Sequence, residues 1–263
     1  MKLLWITAAA VLTTLTISAL HAPSQGSALG NSAPSPARLA PAKLALPQSG
    51  PVVAELFTSQ GCSSCPPADA VAARLARDPA ILVISRPVTY WDRLGWKDSL
   101  GREENTRLQR QYGDRAFAGA NIYTPQLVID GSAQGVGSQE AHARKQIARA
   151  GAIRARSGVI VRVTRTADGG RSIVLQGRPG TGAEVMLIAL SSRETVKIGR
   201  GENGGRSVSY TNVVLDETPL GRWSEGRRAI VLSPDQLDTR GADRHALVIR
   251  RGAGGAIIGS ALI

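Results

Sequence analysis

The chain has 263 residues, 43% of them apolar and 20% charged, with 29 Gly and 14 Pro; this fills an ordinary core and excludes collagenous, fibrous and wholly disordered architectures. With 32 Lys and Arg against 20 Asp and Glu, the formal charge is +12, so the surface favours anionic surroundings. Two cysteines and three scattered histidines exclude a four-ligand structural zinc site.

Residues 1–20, MKLLWITAAAVLTTLTISAL, place one Lys ahead of 18 uncharged residues, the layout of a secretory signal peptide. We expect a signal peptide over 1–22 and an exported protein, periplasmic or secreted. The cleavage site is poorly marked, with Leu20 two residues before Ala22. A run of this length is also the lower limit of a membrane span, so an uncleaved anchor is the alternative; cleavage leaves no stable membrane span. Residues 23–50 carry five of the 14 prolines and only Arg38 and Lys43 as charges, which reads as a flexible linker. Beyond residue 48 the balance is still 29 against 20. In an exported chain this describes an Arg-rich solvated surface, and no nucleic-acid partner is expected.

The run Val52–Thr58 is β-branched and apolar, as a buried strand requires. Ser59-Gln60-Gly61-Cys62-Ser63-Ser64-Cys65-Pro66-Pro67 follows, and then a helical segment with Val71 and Leu75 one turn apart. Two prolines suit the first helical turn, where backbone N–H groups have no partner to lose. Cys62 is therefore expected at or just before a helix N-terminus, where the macrodipole favours a thiolate. In a redox pair Cys62 attacks and Cys65 resolves. Two other readings of the pair stay open: a structural disulfide, which closes a very short loop, and a metal-carrying pair, which needs a nearby His or Met that the sequence does not supply. No cofactor and no metal site are expected.

Farther along, Ile81–Ile84 reads as a second buried strand, and residues 86–101 as a long loop carrying Tyr90, Trp91 and Trp96 ahead of a polar helix over about 102–112. These aromatics either line a substrate groove or close a small satellite core. Tyr123-Thr124-Pro125 opens an apolar strand that ends in an Asp130-Gly131 hairpin turn, with a Gly-rich return strand and a helix that Ser138 caps. Strand, hairpin and helix after a CxxC unit resemble the second half of the thioredoxin fold. The resemblance places Pro125, preceded by Thr124, where that superfamily holds a cis proline facing the cysteines. Glu55, seven residues before Cys62, is a candidate buried proton relay, with an ion-paired or edge-exposed Glu as the commoner outcome.

Glu55-Leu56-Phe57-Thr58-Ser59-Gln60-Gly61-Cys62-Ser63-Ser64-Cys65-Pro66-Pro67-Ala68-Asp69, Tyr90-Trp91-Asp92 with Leu94-Gly95-Trp96, Tyr123-Thr124-Pro125-Gln126 and Gly199-Arg200-Gly201-Glu202-Asn203 together resemble the secreted thioredoxin-like family known as domain of unknown function 1223. The likeness covers about residues 51–263. It implies a thioredoxin-like fold, a CxxC site and export, with no defined substrate. Pro87 stands where that pattern often has a His before Val-x-Tyr-Trp, so any role of that His is missing here.

After about Arg156, short strands recur at Val159–Thr166, Ser172–Arg178, Val185–Ser191, Ser207–Leu215, Arg228–Ser233, Ala246–Arg251 and Ala256–Leu262, the spacing of a β-sandwich or barrel. The 199–206 stretch has a phosphate-loop flavour but lacks a following helix and a Lys-Ser/Thr pair, which leaves a β-turn ahead of a ligand loop. The fold class expected is a thioredoxin-like α/β domain over 51–156, its CxxC at a helix N-terminus, followed by an all-β sandwich-like domain over 157–263. The function expected is thiol–disulfide exchange through Cys62 and Cys65 with protein thiols and disulfides of the cell envelope; Pro125 and Glu55 assist, and Thr124, Tyr90, Trp91 and Trp96 contact the partner. The alternative is a non-catalytic envelope binding or assembly protein with a static bridge. The sequence leaves the oligomeric state open.

Overall fold

The computed structural model describes residues 48–117, 121–180 and 182–263; the predicted leader and almost all of the linker lie outside them. Strand β1 (Val52–Thr58) is buried along its whole length and is followed by helix α1 (Pro66–Leu75) and strand β2 (Ile81–Pro87), which returns parallel to β1. Side chains alternate across β1, so the sheet separates them by parity. Val52, Ala54 and Leu56 meet Ala68, Val71, Ala72 and Leu75 of α1. Val53 and Phe57 point to the other face, into clusters with Leu82, Ile84 and Val248 and with Leu108 and Tyr112 respectively. Burying Val71 and Leu75 against the sheet contributes about 1.5–3 kcal/mol each, enough to hold a helix of only 10 residues that would be marginal alone.

Helix α2 (Glu103–Arg115) leads to strands β3 (Gln126–Ile129) and β4 (Ala133–Val136), an antiparallel hairpin turned by Asp130 and Gly131, both at positive φ. Helix α3 (Glu140–Arg154) packs Ala143, Ile147 and Ala150 into the α1 side of the sheet. Its N-cap is Gln139, without a side-chain cap bond, so the expected Ser138 cap is not formed. Seven further strands follow: β5 (Ile160–Arg165), β6 (Arg171–Gly177), β7 (Ala183–Lys197), β8 (Ser207–Trp223), β9 (Gly226–Leu232), β10 (Arg244–Arg250) and β11 (Ile257–Leu262).

The expected fold class is overturned here. The described residues form an eight-stranded mixed sheet, in the order β11-β10-β7-β8-β2-β1-β3-β4, and a three-stranded sheet, β5-β6-β9, with three α-helices. This is a mostly β protein and not a thioredoxin-like α/β core followed by a separate sandwich. Four of the strands assigned to a sandwich extend the sheet that contains β1. The join is β8 beside β2, made by one parallel pair, Ser85 with Val213. Ser85 Oγ donates to the Thr211 carbonyl (2.7 Å) and Asn212 Nδ2 donates to the Val83 carbonyl (2.8 Å). The small sheet shares its core with the β7–β10–β11 end of the large one, around Ile173, Leu175, Val185, Trp223, Leu247 and Ile249. Among the described residues, no helix is long and apolar enough to cross a membrane.

Candidate functional site at the Cys62–Cys65 disulfide

The segment between β1 and α1 is a succession of tight turns. Cys62 N donates to the Ser59 carbonyl (3.2 Å), Cys65 N to the Cys62 carbonyl (3.1 Å) and Gly61 N to Ser59 Oγ (3.1 Å). Cys62 and Cys65 form a disulfide with Cα atoms 5.4 Å apart. Cys65 is the N-cap of α1, and Pro66 and Pro67 fill its first turn; Cys62 lies three residues before the cap. The expected helix-terminus placement therefore falls on Cys65 more directly than on Cys62. Both cysteines are 0% exposed, whereas Ser63 and Ser64 between them are exposed.

Side chains from outside the turn hold four of its backbone groups. Asp98 Oδ2 accepts from Gln60 N (2.8 Å), and Glu202 Oε2 accepts from Ser63 N (3.0 Å). Asn203 Nδ2 donates to both the Gln60 carbonyl (3.0 Å) and the Cys62 carbonyl (2.8 Å). Glu202 and Asn203 sit in the loop joining β7 to β8, itself turned by Gly201 and Gly205 at positive φ. Arg206 Nη1 donates to Asn203 Oδ1 (3.0 Å), which orients the amide. The hydrogen bonds from Ser63 hold the Glu202 carboxyl below its usual range. Asn203→Ala strips the donor from two buried carbonyls and is expected to cost about 1–3 kcal/mol in urea unfolding. It should also speed reduction of the disulfide by dithiothreitol, and unchanged values of both would remove Asn203 from the site.

The aromatics bracket this turn. Trp91 Nε1 donates to Thr124 Oγ1 (2.8 Å), and a Cβ at Gly61 would come within 3.2 Å of Trp91 Cβ. Trp96 Nε1 donates to Gln60 Oε1 (2.8 Å), and its ring leaves no room for a side chain at Gly199, where a Cβ would lie 2.8 Å away. Tyr90 and Trp91 pack on Phe57, Val88 and Tyr112, whereas Trp96 packs on Ile198, Val208 and Tyr210. All three thus pack in satellite cores, and Trp91 and Trp96 wall the cysteine turn. The Thr124–Pro125 peptide bond is cis, and Pro125 is buried.

Two buried acids lie on opposite faces of β1. Glu55 faces α2 and β10: Oε1 accepts from Arg86 Nε (2.7 Å) and Arg250 Nη2 (2.8 Å), and Oε2 accepts from the Tyr112 hydroxyl. Burial alone would push its carboxyl up, but Arg250 and Arg86 outweigh it and hold the group at about 2. Glu55 is ionised at neutral pH and stands on the face away from α1, so the structure does not bring it to the cysteines as a proton relay. Arg86 goes on to Glu217 Oε1 (2.8 Å) and Asn105 Oδ1 (3.1 Å), stitching β1, β2, α2, β8 and β10 together. Asp69 is the acid on the cysteine side. It lies one helical turn after Cys65 and is 2% exposed; Oδ1 accepts from Thr58 Oγ1 (2.9 Å) and Oδ2 has no partner. Burial pushes its carboxyl up to about 8; the Thr58 bond opposes this and Asp98 adds to it.

Sequence reasoning did not single out Asp69, Asp98, Glu202 or Asn203. Asp69 had a signal: a carboxylate one turn after Cys65, at the edge of the apolar face formed by Ala68, Val71, Ala72 and Leu75. Glu202 and Asn203 had none beyond their motif, because their proximity to Cys62 depends on the length of the β7–β8 hairpin.

A buried CxxC disulfide at the head of a helix, clamped by the tip of a long hairpin on a mixed sheet, defines a β-rich, disulfide-bearing protein. The chain belongs to the DUF1223 family of proteins of unknown function, whose model matches residues 53–250. Among solved structures it is similar to protein AGR_C_4864 from Agrobacterium tumefaciens, at 26% identity and a TM-score of 0.70 over 81% of this chain and 93% of that one. It is also similar in fold to HBP35 of Porphyromonas gingivalis, at 12% identity and a TM-score of 0.52 over 82% of this chain and 75% of that one. No curated protein matches.

Proposed function

We propose that this is an exported thiol–disulfide exchange protein that reacts with protein thiols and disulfides of the cell envelope through Cys62 and Cys65. The observation that carries this reading is the seat of the pair. Gln60 N, the Gln60 and Cys62 carbonyls and Ser63 N are each held by a side chain from another part of the chain, so the turn has supports besides the S–S bond. A bridge across so short a loop constrains the unfolded chain by only about 2 kcal/mol, which does not account for four tethers, three of them buried. A partner thiolate attacks Cys62 and forms a mixed disulfide; Cys65 leaves as a thiolate at the positive end of α1. A second partner thiolate then releases Cys62 and closes the partner's disulfide. Because both cysteines are fully covered, exchange requires the Glu202–Asn203 loop or the exposed Ser63-Ser64 to move aside.

The same burial favours a second reading, a static bridge in a non-catalytic envelope binding or assembly protein. The two separate on the equilibrium reduction potential of the pair in the mature protein, measured in redox buffers with mass-resolved alkylation. We expect a value between about −120 and −270 mV; one below about −300 mV marks a bridge that resists reduction and gives the second reading the lead. A Cys65→Ser variant expressed with its leader should accumulate partner proteins on Cys62 in the envelope.

A further inference from the structure

We propose that Asp69 is the proton donor and acceptor for Cys65 during exchange, a role that rests on the redox reading above. Cys65 and Asp69 are four residues apart at the start of one helix, and the Asp69 amide donates to the Cys65 carbonyl (3.0 Å). Residues at this spacing share a face with Cβ atoms about 5–6 Å apart. The Cα–Cβ bond of a helical residue tilts toward the N-terminus, so the Asp69 carboxyl leans back toward the turn that contains Cys65. Both side chains are buried, so water does not serve Cys65 directly.

The surroundings leave the carboxyl free for this task. Thr58, at the end of β1, donates to Oδ1, and Oδ2 is unpartnered. The other titratable groups that face it are Asp98, from the segment after β2, and Tyr210, from β8; Asp69 and Asp98 both help to raise the Tyr210 phenol. Among the described residues Asp69 has no ion pair. A buried acid with an unpartnered oxygen costs the fold stability, and such groups gather where a proton is transferred. When a partner thiolate attacks Cys62, the Sγ–Sγ bond breaks and its electron pair goes to Cys65; the Asp69 carboxyl passes its proton to that thiolate and becomes a carboxylate. In the reverse direction the carboxylate takes the proton from the Cys65 thiol. The thiolate so formed attacks the mixed disulfide at Cys62, re-forms the bond and releases the partner thiolate.

The test compares wild type with Asp69→Asn and Thr58→Val, each checked for native circular dichroism. The rate of reduction by dithiothreitol is divided by the dithiothreitol thiolate concentration and followed from pH 5 to 10. Wild type should show a normalised rate that falls as Asp69 ionises. Asp69→Asn should be about tenfold slower at pH 7 and flat with pH. Thr58→Val, which removes the bond favouring the ionised form, should move the transition to higher pH; a merely structural Asp69 would leave the transition where it is. In the fully reduced protein, Asp69→Asn should also lower the pH midpoint of Cys65 alkylation, because a neighbouring carboxylate opposes thiolate formation. If Asp69→Asn moves neither the normalised profile nor that midpoint, the relay is overturned while the exchange reading stands. If wild type is reduced only on unfolding, both fall.

Discussion

Truncating Glu55 to Ala should lower the unfolding free energy by about 3–5 kcal/mol, because it leaves two buried guanidinium groups without their shared carboxylate. Arg86 has no exposed side chain, Arg250 keeps 7%, and both close on Glu55 Oε1. Arg250 also lies 5.3 Å over the Tyr112 ring, so the loss reaches α2 as well. The same group shapes the acid limb of stability. Its carboxyl titrates at about 2 in the fold against 4.5 as a free side chain, so its contribution is complete above pH 4.5 and disappears as pH falls toward 2, about 3 kcal/mol in all. Urea unfolding at pH 7 and pH 3 measures both quantities. A Glu55→Ala protein as stable as wild type at pH 7 would mean that the network is dispensable.

Asp69→Asn should have the opposite sign. The folded carboxyl sits at about 8 against 3.8 when free, so the fold binds a proton that the unfolded chain has released. Stability from this group is fully present below about pH 4, declines by about 1.4 kcal/mol per pH unit through the interval up to 8, and is level beyond it. At pH 7 the Asn variant should therefore be more stable by up to about 4 kcal/mol, less whatever its amide loses for want of a partner, and its alkaline limb should flatten. Thermal unfolding from pH 5 to 9 reads the slope directly; a variant with the wild-type slope would show that Asp69 is ionised throughout. Taken together these two groups contribute most near pH 4–5, where Glu55 is still ionised and Asp69 is protonated in the fold. A substitution that stabilises the protein yet slows exchange is the pattern expected of a group held in place for chemistry.

How much of this was legible depended on the range of the interaction. The CxxC turn, the proline-started helix and the Asp130-Gly131 hairpin are set by neighbours in sequence and lie where the pattern places them. Strands β5, β6, β9, β10 and β11 coincide with the expected segments to within about two residues at either end. Strands β7 and β8 run to Lys197 and Trp223, past the expected ends, because β7 beyond Ser191 and β8 beyond Leu215 are half-exposed and their polar residues read as loop. Sheet membership was not legible: alternation reports that a strand has a buried face, not which strand lies beside it, and β8 reaches β2 across more than a hundred residues. The side of β1 on which Glu55 lies was legible. Val52, Ala54, Leu56 and Thr58 share one face of β1, and Glu55 has the opposite parity; the acid that can meet the cysteine side belongs to the helix. Arg86 carried a similar signal, a charge closing a run of apolar strand residues that needed a buried counter-charge.

The hairpin of β7 and β8 sets a distance. Its arms of 15 and 17 residues, at about 3.4 Å per residue, extend about 50 Å. One end is anchored beside Trp223 in the core shared by the two sheets, and the other carries Glu202 and Asn203 to the cysteine turn. It works as a ruler. Deleting one residue from either arm would shift the tip by a strand step and exchange the two faces of everything beyond the deletion, withdrawing both side chains from Gln60, Cys62 and Ser63 without touching any of them. Changes in arm length are therefore tolerable only as compensated pairs, one residue in each arm.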